Sequence, residues 1–377
     1  MQKTVVMAES SDIYHDYRVQ KEAASLAADG WKVAVFGFRN GRRRPDRSPG
    51  AFALTTLPLF PRTRRRLRNL SIVVNAALIN LRLLVVGARV YHAHNTMFLW
   101  GMWLGARLHR GRFVYDAHEV QWEHGRLLAW LERQFIHRAD ACINVARGRA
   151  RAQAERYGLA ADAITIIANY PVLDPGAPPP ISVAAGGPIR LVYSGGYDLA
   201  SNRLDLLARA MQRVPAIELH LVAFGYRDSE QVLRRLVGEL GLTERVHFHP
   251  LVRPDEVMAT VASYDVAVNM LTNPGGHLSI RHCSVNKMYE YLAAGRPILC
   301  SDLESFVEEF VTGGAAFAVD ATDVDDIARG LRQLVAERER LAAMGARAWD
   351  LARTRYNWAS QEARLLELYA GLAAGGG

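Results

Sequence analysis

A run of prolines and glycines in the middle of the chain, Asn169-Tyr-Pro-Val-Leu-Asp-Pro-Gly-Ala-Pro-Pro-Pro180 followed by Ala184-Ala-Gly-Gly-Pro188, separates two halves with the same pattern. Before it, short apolar runs at 4–8, 32–38, 52–57, 89–93, 112–115, 141–145 and 164–167 read as strands, with helical patterns between several of them, as at 19–28 and 127–138. After it, the strand pattern resumes at 189–193, 218–223, 246–249, 266–269, 298–300 and 316–319. Two β/α-alternating halves predict an α/β protein with two doubly wound, Rossmann-like sheets. A chain of 377 residues is long enough for each half to bury its own core. The expected division is a first domain over 1–170, a linker over 171–188, a second domain over 189–355 and a closing helix over 356–377 that returns toward the first. In such sheets ligands bind at the C-terminal strand ends, so the crevice between the halves is the expected site.

The segment 284–301, SVNKMYEYLAAGRPILCS, carries the most chemistry. It predicts a helix over 285–294, stopped by Gly295 with Pro297 just beyond. Its polar residues, Ser284, Asn286, Lys287 and Glu290, gather at the entrance. A helix start offers free N–H groups and a positive dipole end, which suit a phosphate. Lys287 adds charge there, and Glu290, on the same face, is placed to accept ribose hydroxyls. Together they describe a nucleotide-diphosphate site.

This segment resembles the nucleotide-sugar site of retaining glycosyltransferase family 4, which has the two-domain GT-B fold. The resemblance extends through HDYRVQKEAASLAADGWKVAVFGF near the start, VYHAHN, FVYDAHE, LERQFIHRADACINVA, IRLVYSGGYDLASNRLDLLARAM and RYNWASQEARLLELY near the end. It implies transfer of a sugar from a UDP- or GDP-linked donor to an acceptor hydroxyl with retention of configuration, in glycan or glycoconjugate synthesis. It implies catalytic roles for His118, Lys287 and Glu290. No cofactor or metal is expected. Rival readings are a glycosyltransferase of a soluble natural product and a non-catalytic nucleotide-sugar-binding subunit.

The donor side is expected in the second half: Gly195 and Gly196 in the turn after a strand, Val252 beside the base, and His282, Ser284, Val285, Asn286, Lys287 and Glu290. Two positions depart from the family pattern. Where many members place an Arg and a Lys after the glycine turn, this chain has Tyr197 and Asn202, with Arg203 one residue off register. Where a first Glu often stands, it has His282. Arg281, His282 and Lys287 still predict an electropositive loop.

The first half is expected to hold the acceptor. His118, directly after a strand, resembles the family histidine that reaches the donor sugar, with Asp116 and Glu119 flanking it to orient the imidazole. His94 and Asn95 read as lining the cleft, and His92 as structural. His92 and His94 share a face, but no third metal ligand has suitable spacing. Arg18 starts the first helix and reads either as an acceptor or phosphate contact or as a solvated residue. Glu132, Arg133 and the basic residues over 147–156 read as solvated.

Cys142, Cys283 and Cys300 are too widely spaced for a disulfide framework or a metal site, and buried free thiols are expected. The first residues resemble no signal peptide, so a cytoplasmic location is expected. The net charge is +8, and no acidic residue lies between Asp46 and Asp116. That span holds Arg62, Arg64, Arg65, Arg66 and Arg68 before an apolar run over 70–81, with Arg42, Arg43 and Arg44 upstream. Two readings stand: a core helix behind a basic loop, or a surface docking on anionic lipid at the inner membrane face, with a lipid-linked acceptor. Asn75, Asn80 and Arg82 interrupt the run too often for a spanning helix. Nucleic acid is not an expected partner, because no recognition motif accompanies the basic residues.

Overall fold

A computed structural model describes residues 2–40, 52–60, 64–173, 176–178, 180–181 and 186–374. Arg42, Arg43, Arg44 and Arg62 lie outside them. The chain forms two compact units, one running to Asn169 and resuming at Gln361, the other from Tyr170 to Ser360.

The first unit is built on a parallel sheet of seven strands: β1 Thr4–Asp12, β2 Lys32–Asn40, β3 Ala53–Leu59, β4 Val90–Ala93, β5 Arg112–Ala117, β6 Ala141–Asn144 and β7 Ile164–Ile166, in the order β3-β2-β1-β4-β5-β6-β7. The second carries six: β8 Ile189–Tyr197, β9 Ile217–Gly225, β10 Val246–His249, β11 Val266–Asn269, β12 Ile298–Ser301 and β13 Ala316–Val319, in the order β10-β9-β8-β11-β12-β13. All recorded pairings are parallel. Helices cover both faces of such sheets, so the strands are apolar on both sides, as in Val5, Val6, Met7 and Ala8, all at most 2% exposed. Chain order reverses between β1 and β4 and again between β8 and β11. These two switch points are where a doubly wound sheet opens for a ligand.

Local chemistry sets the helices beside them. Asp16 caps the Tyr17–Ala28 helix by accepting from the Val19 amide. The Asn286–Ala293 helix ends at Gly295, whose φ of +64° allows the Arg296 amide to reach back to the Tyr291 carbonyl. Its Met288, Tyr289, Tyr291 and Leu292 are buried, which leaves Asn286, Lys287 and Glu290 on the more open side. The three cysteines are buried free thiols.

The Arg65–Leu83 helix has a core face, as the first reading of the basic, apolar span expects, and a second apolar face that is exposed. Ala76, Ile79 and Leu83 join the core of the first unit. Leu67, Leu70, Val74, Leu78 and Leu81, spaced three or four apart, are 41–60% exposed. The asparagines do not interrupt that outer stripe. Asn80 is buried, donates to the Ala76 and Met97 carbonyls and accepts from the Gly101 amide, and Asn75 donates to the Pro58 carbonyl.

Candidate functional site

In the first unit the ends of β1, β4 and β5 bring ionisable side chains into one buried network around His118. Arg18 is its hub and is only 4% exposed. Its Nη2 lies 2.7 Å from Asp116 Oδ2 and 3.0 Å from Glu22 Oε1, its Nη1 donates to the Ile167 carbonyl, and its Nε reaches His118 Nε2 at 3.1 Å. Arg18 is therefore neither solvated nor open to an acceptor. It was hard to place because Arg18 and Glu22 sit one turn apart on the face that Val19, Ala23 and Leu26 bury.

His94 is 1% exposed and does not line an open surface; its Nδ1 lies 3.2 Å from both Asp116 Oδ2 and His118 Nε2. His92 stacks on it and pairs Nδ1 with the Tyr369 hydroxyl at 2.7 Å, the structural role expected of it. Two further carboxylates approach these histidines, Asp116 and Glu22, which long-range folding supplies and sequence spacing could not. Arg18 ion-pairs with both, and burial raises the Glu22 carboxyl, so Asp116 is the carboxylate that holds the charge opposite the guanidinium. Asn95 accepts from the Met97 amide and caps a short helical turn.

His118 is the member of the network that reaches the surface, with its side chain 18% exposed. Its Nε2 is 3.1 Å from Asp116 Oδ2 as well as from Arg18 Nε. It donates to Asp116 when protonated and accepts from Arg18 when neutral, so the imidazole has a partner in either state. Burial pushes His118 down, but Asp116 pushes it up harder, to about 9. Burial also opposes the charged form of Asp116, yet Arg18 and His118 hold it well below the usual carboxylate range. Glu119 does not orient the imidazole: it is more than half exposed and pairs with Arg149. Glu9 takes that place, with Oε2 at 3.5 Å from His118 Nδ1, and burial raises its carboxyl. Arg149 is not solvated either, since its Nη1 donates to the His118 carbonyl. Glu132 is likewise buried, accepting from Tyr115, Tyr157 and Gln153.

The second unit presents a sparser site. Ser194 to Tyr197, expected to turn, continue β8 to its end. Gly195 has a φ of +87°, which favours glycine. Gly196 has another reason: a Cβ there would lie 2.7–2.8 Å from the rings of Tyr226 and Phe224, so glycine lets these aromatics rest on the strand. Lys287 reaches this strand end, with Nζ donating to the Tyr193 hydroxyl at 2.6 Å, standing 3.5 Å from the Gly196 carbonyl and 3.8 Å from the Tyr193 ring centre. Burial lowers this ammonium to about 7, opposed in part by Glu290 one turn on. Tyr291 fixes the helix to the strand by accepting from the Ser194 amide. No side chain among the described residues caps Val285; the Met288 amide turns back to the Val285 carbonyl, which leaves the Asn286 and Lys287 N–H groups as the open donors of the helix start.

The remaining expected donor residues divide. Ser284 donates to the Tyr289 hydroxyl, which donates to Glu309. Val285 and Val252 pack on the core beneath. His282 ends the Leu278–Arg281 helix. Arg281 is engaged by Glu304 at 2.7 Å, so it adds less positive charge than expected. Arg203 turns to Asp205, both contacts at 3.3 Å, and the Tyr197 position is filled by a side chain 1% exposed. Lys287 is thus the basic group at the strand end. Sequence reading missed Asn269, which closes β11 on the sheet face that Ser194 shares. It is 1% exposed, and neither its Nδ2 nor its Oδ1 makes a hydrogen bond among the described residues. A polar residue ending Val266-Ala-Val-Asn269 was the available signal.

Two family models match this chain: Glycosyltransferase Family 4 over residues 18–170 and Glycosyl transferases group 1 over 188–337. The chain belongs to glycosyltransferase family 4. It is 31% identical over 182 residues to the GDP-mannose-dependent alpha-(1-6)-phosphatidylinositol monomannoside mannosyltransferase of Mycolicibacterium smegmatis, covering 48% of this chain and 46% of that one. It is 28% identical over 256 residues to the D-inositol 3-phosphate glycosyltransferase of Nocardia farcinica, covering 63% and 54%. The alignments span about half the length of these curated relatives. The sucrose-phosphate synthase of Thermosynechococcus elongatus has the same fold, with a TM-score of 0.76 over 99% of this chain and 100% of that one, at 18% identity. The fold is therefore GT-B.

Proposed function

We propose that the chain is a retaining glycosyltransferase whose second unit binds a nucleotide-diphosphate sugar. The observation that carries this is Lys287, held at the end of β8 beside an uncapped helix start with Glu290 one turn on. The diphosphate meets Lys287 and the free N–H groups, which also stabilise the leaving charge. Glu290 accepts the ribose hydroxyls. His118 is assigned the contact to the transferred sugar. The acceptor oxygen bonds to the anomeric carbon on the face from which the β-phosphate oxygen departs, and that oxygen takes the acceptor proton. No metal is needed in these steps. The relatives' names make GDP-mannose with an inositol-containing acceptor the first pair to test and UDP-sugars the second. A nucleotide-release assay over a donor panel, with EDTA present, decides: turnover with at least one donor supports the reading, and donor binding without release or transfer would make the chain a binding subunit.

We infer further that the outer stripe of the Arg65–Leu83 helix docks on an anionic membrane face, where a lipid-linked acceptor would be met. Five exposed apolar residues at helical spacing, beside exposed Arg64, Arg66 and Arg82, support this reading. No helix among the described residues is long and apolar enough to cross a membrane. Sedimentation with phosphatidylglycerol vesicles should capture the chain, and Leu70→Ser/Leu78→Ser should release it. Equal, negligible binding to anionic and neutral vesicles removes the proposal and favours a soluble acceptor.

A further inference from the structure

The second unit carries a second group of ionisable side chains, toward the β10 edge of its sheet. β10 is the edge strand and pairs with β9 so that His247 lies opposite His220 and His249 opposite Val222. Alternation puts Glu218 and His220 of β9 on the same face as His247 and His249 of β10. The rings follow: His220 stacks on His247 with centres 4.6 Å apart and on His249 at 5.3 Å. Three imidazoles and a carboxylate therefore share one side of a two-strand edge.

Their nitrogen atoms are arranged unevenly. His220 Nδ1 is 3.0 Å from His249 Nε2, a hydrogen bond. His220 Nε2 is buried and makes none, although Glu218 Oε2 stands 3.6 Å away. One ligand atom each from Glu218, His220 and His247 falls within 4.8 Å of the others. A tetrahedral zinc ion with bonds of about 2.0–2.1 Å separates its ligand atoms by about 3.3 Å, so the Glu218–His220 pair is already within a few tenths of an ångström of that spacing. The His220–His249 bond also suits a ligand: with Nδ1–H donated to His249, Nε2 keeps its lone pair, and Glu218 Oε2 stands 3.6 Å from it.

We propose that Glu218, His220 and His247 form a binding site for a zinc-class divalent cation, with His249 as the positioning residue that sets the His220 tautomer. Three protein ligands leave a coordination position for water. Glu218 and His220 side chains are 27% and 14% exposed, so an ion can enter. His220 stands level with Val192, three residues or about 10 Å of strand before Gly195, and His247 and His249 lie on the edge strand, one strand removed from β8. The ion's role is to pin the edge strand β10 to β9, protecting an otherwise open sheet edge.

The test uses the untagged full chain, stripped with EDTA and titrated with Co2+ and then Zn2+. One equivalent of Co2+ should bind and give visible d–d bands that Zn2+ displaces. His220→Ala should abolish the bands, and Glu218→Gln, a near-isosteric change, should weaken binding at least tenfold with an unchanged circular dichroism spectrum. Zn2+ should raise the Tm of the parent chain and leave that of His220→Ala where it was, without altering donor turnover at 25 °C. Failure of the parent chain to take up Co2+, or equal uptake by the parent, Glu218→Gln and His220→Ala, overturns the proposal.

Discussion

The two units place charge at their switch points in opposite ways. In the first, Arg18, Asp116, Glu22, His94 and Glu9 ion-pair around His118, although both Glu22 oxygens, Asp116 Oδ1 and His94 Nε2 make no hydrogen bond among the described residues. In the second, a single lysine is pressed against a tyrosine with its charge disfavoured, and among the described residues no side chain caps the helix start and Asn269 is buried without a hydrogen bond. A network of paired charges holds one imidazole in place in either protonation state. An unsaturated site lacks a counter-charge and gains by binding one. Such a division suits a transferase in which one unit presents a group to the sugar and the other receives a diphosphate.

Removing the hub of the paired network is the most damaging way to break this comparison. Arg18→Met leaves Asp116 and Glu22 buried without their cation, a change that costs about 3–5 kcal/mol. Urea unfolding should show that loss, and hydrogen exchange should place it in β1, β4 and β5. An Arg18→Met chain as stable as its parent would mean the network contributes nothing. Next comes His118→Ala, expected to reduce turnover about 100–1,000-fold, the cost of one donor aimed at developing charge. Affinity for the free nucleotide diphosphate should stay unchanged, since the groups assigned to it lie in the second unit. A drop in both, or in neither, reassigns His118.

Much of this architecture was legible in the chain. Each expected strand has an observed counterpart because buried parallel strands are unbroken apolar runs between helical patterns. His118, Lys287 and Glu290 stand out as candidates because they lie at the end of a strand or the start of a helix, positions that pattern alone can mark. What stayed hidden was pairing across distance. Arg18 looked like a solvated or ligand-binding helix residue because its partner Asp116 is ninety-eight positions away. Glu132 and Arg149 looked solvated for the same reason, and Glu119 was preferred to Glu9 only through adjacency. The β8 glycines were assigned to a turn and a phosphate, whereas Gly196 makes room for Phe224 and Tyr226. Local sequence carries period and punctuation, but not which buried charge finds which partner.

Glu290 sharpens the other side of the comparison. If it receives the ribose, Glu290→Ala forfeits a charge-assisted pair of hydrogen bonds, about 2–3 kcal/mol. Calorimetry should then show donor binding weakened about 30- to 150-fold with the fold intact. Unchanged affinity moves the nucleotide elsewhere.

The smallest effect is also the most discriminating, because the two units should respond to pH with opposite signs. His118 is raised to about 9 from an ordinary value near 6.5. The folded first unit then holds a proton that the unfolded chain sheds. Its contribution is full below about 6.5 and is lost as pH climbs through 9. Lys287 is lowered to about 7 from an ordinary value near 10.5. The unfolded chain then holds a proton that the folded second unit sheds, so stability rises with pH between those values and the penalty is full below 7. Each group's limiting slope is about 1.4 kcal/mol per pH unit, and between pH 7 and 9 the two oppose each other. The parent chain should therefore show a nearly flat stability profile there. Lys287→Met should expose a falling profile, and His118→Asn a rising one. A nucleotide diphosphate adds a further check, since its charge should restore the Lys287 proton. Titrations at pH 8 in buffers of different ionisation enthalpy should reveal uptake of up to one proton, absent from Lys287→Met. If the parent takes up none, Lys287 does not meet the phosphate, and the contrast between a unit of paired charges and one that waits for a counter-charge fails at its central residue.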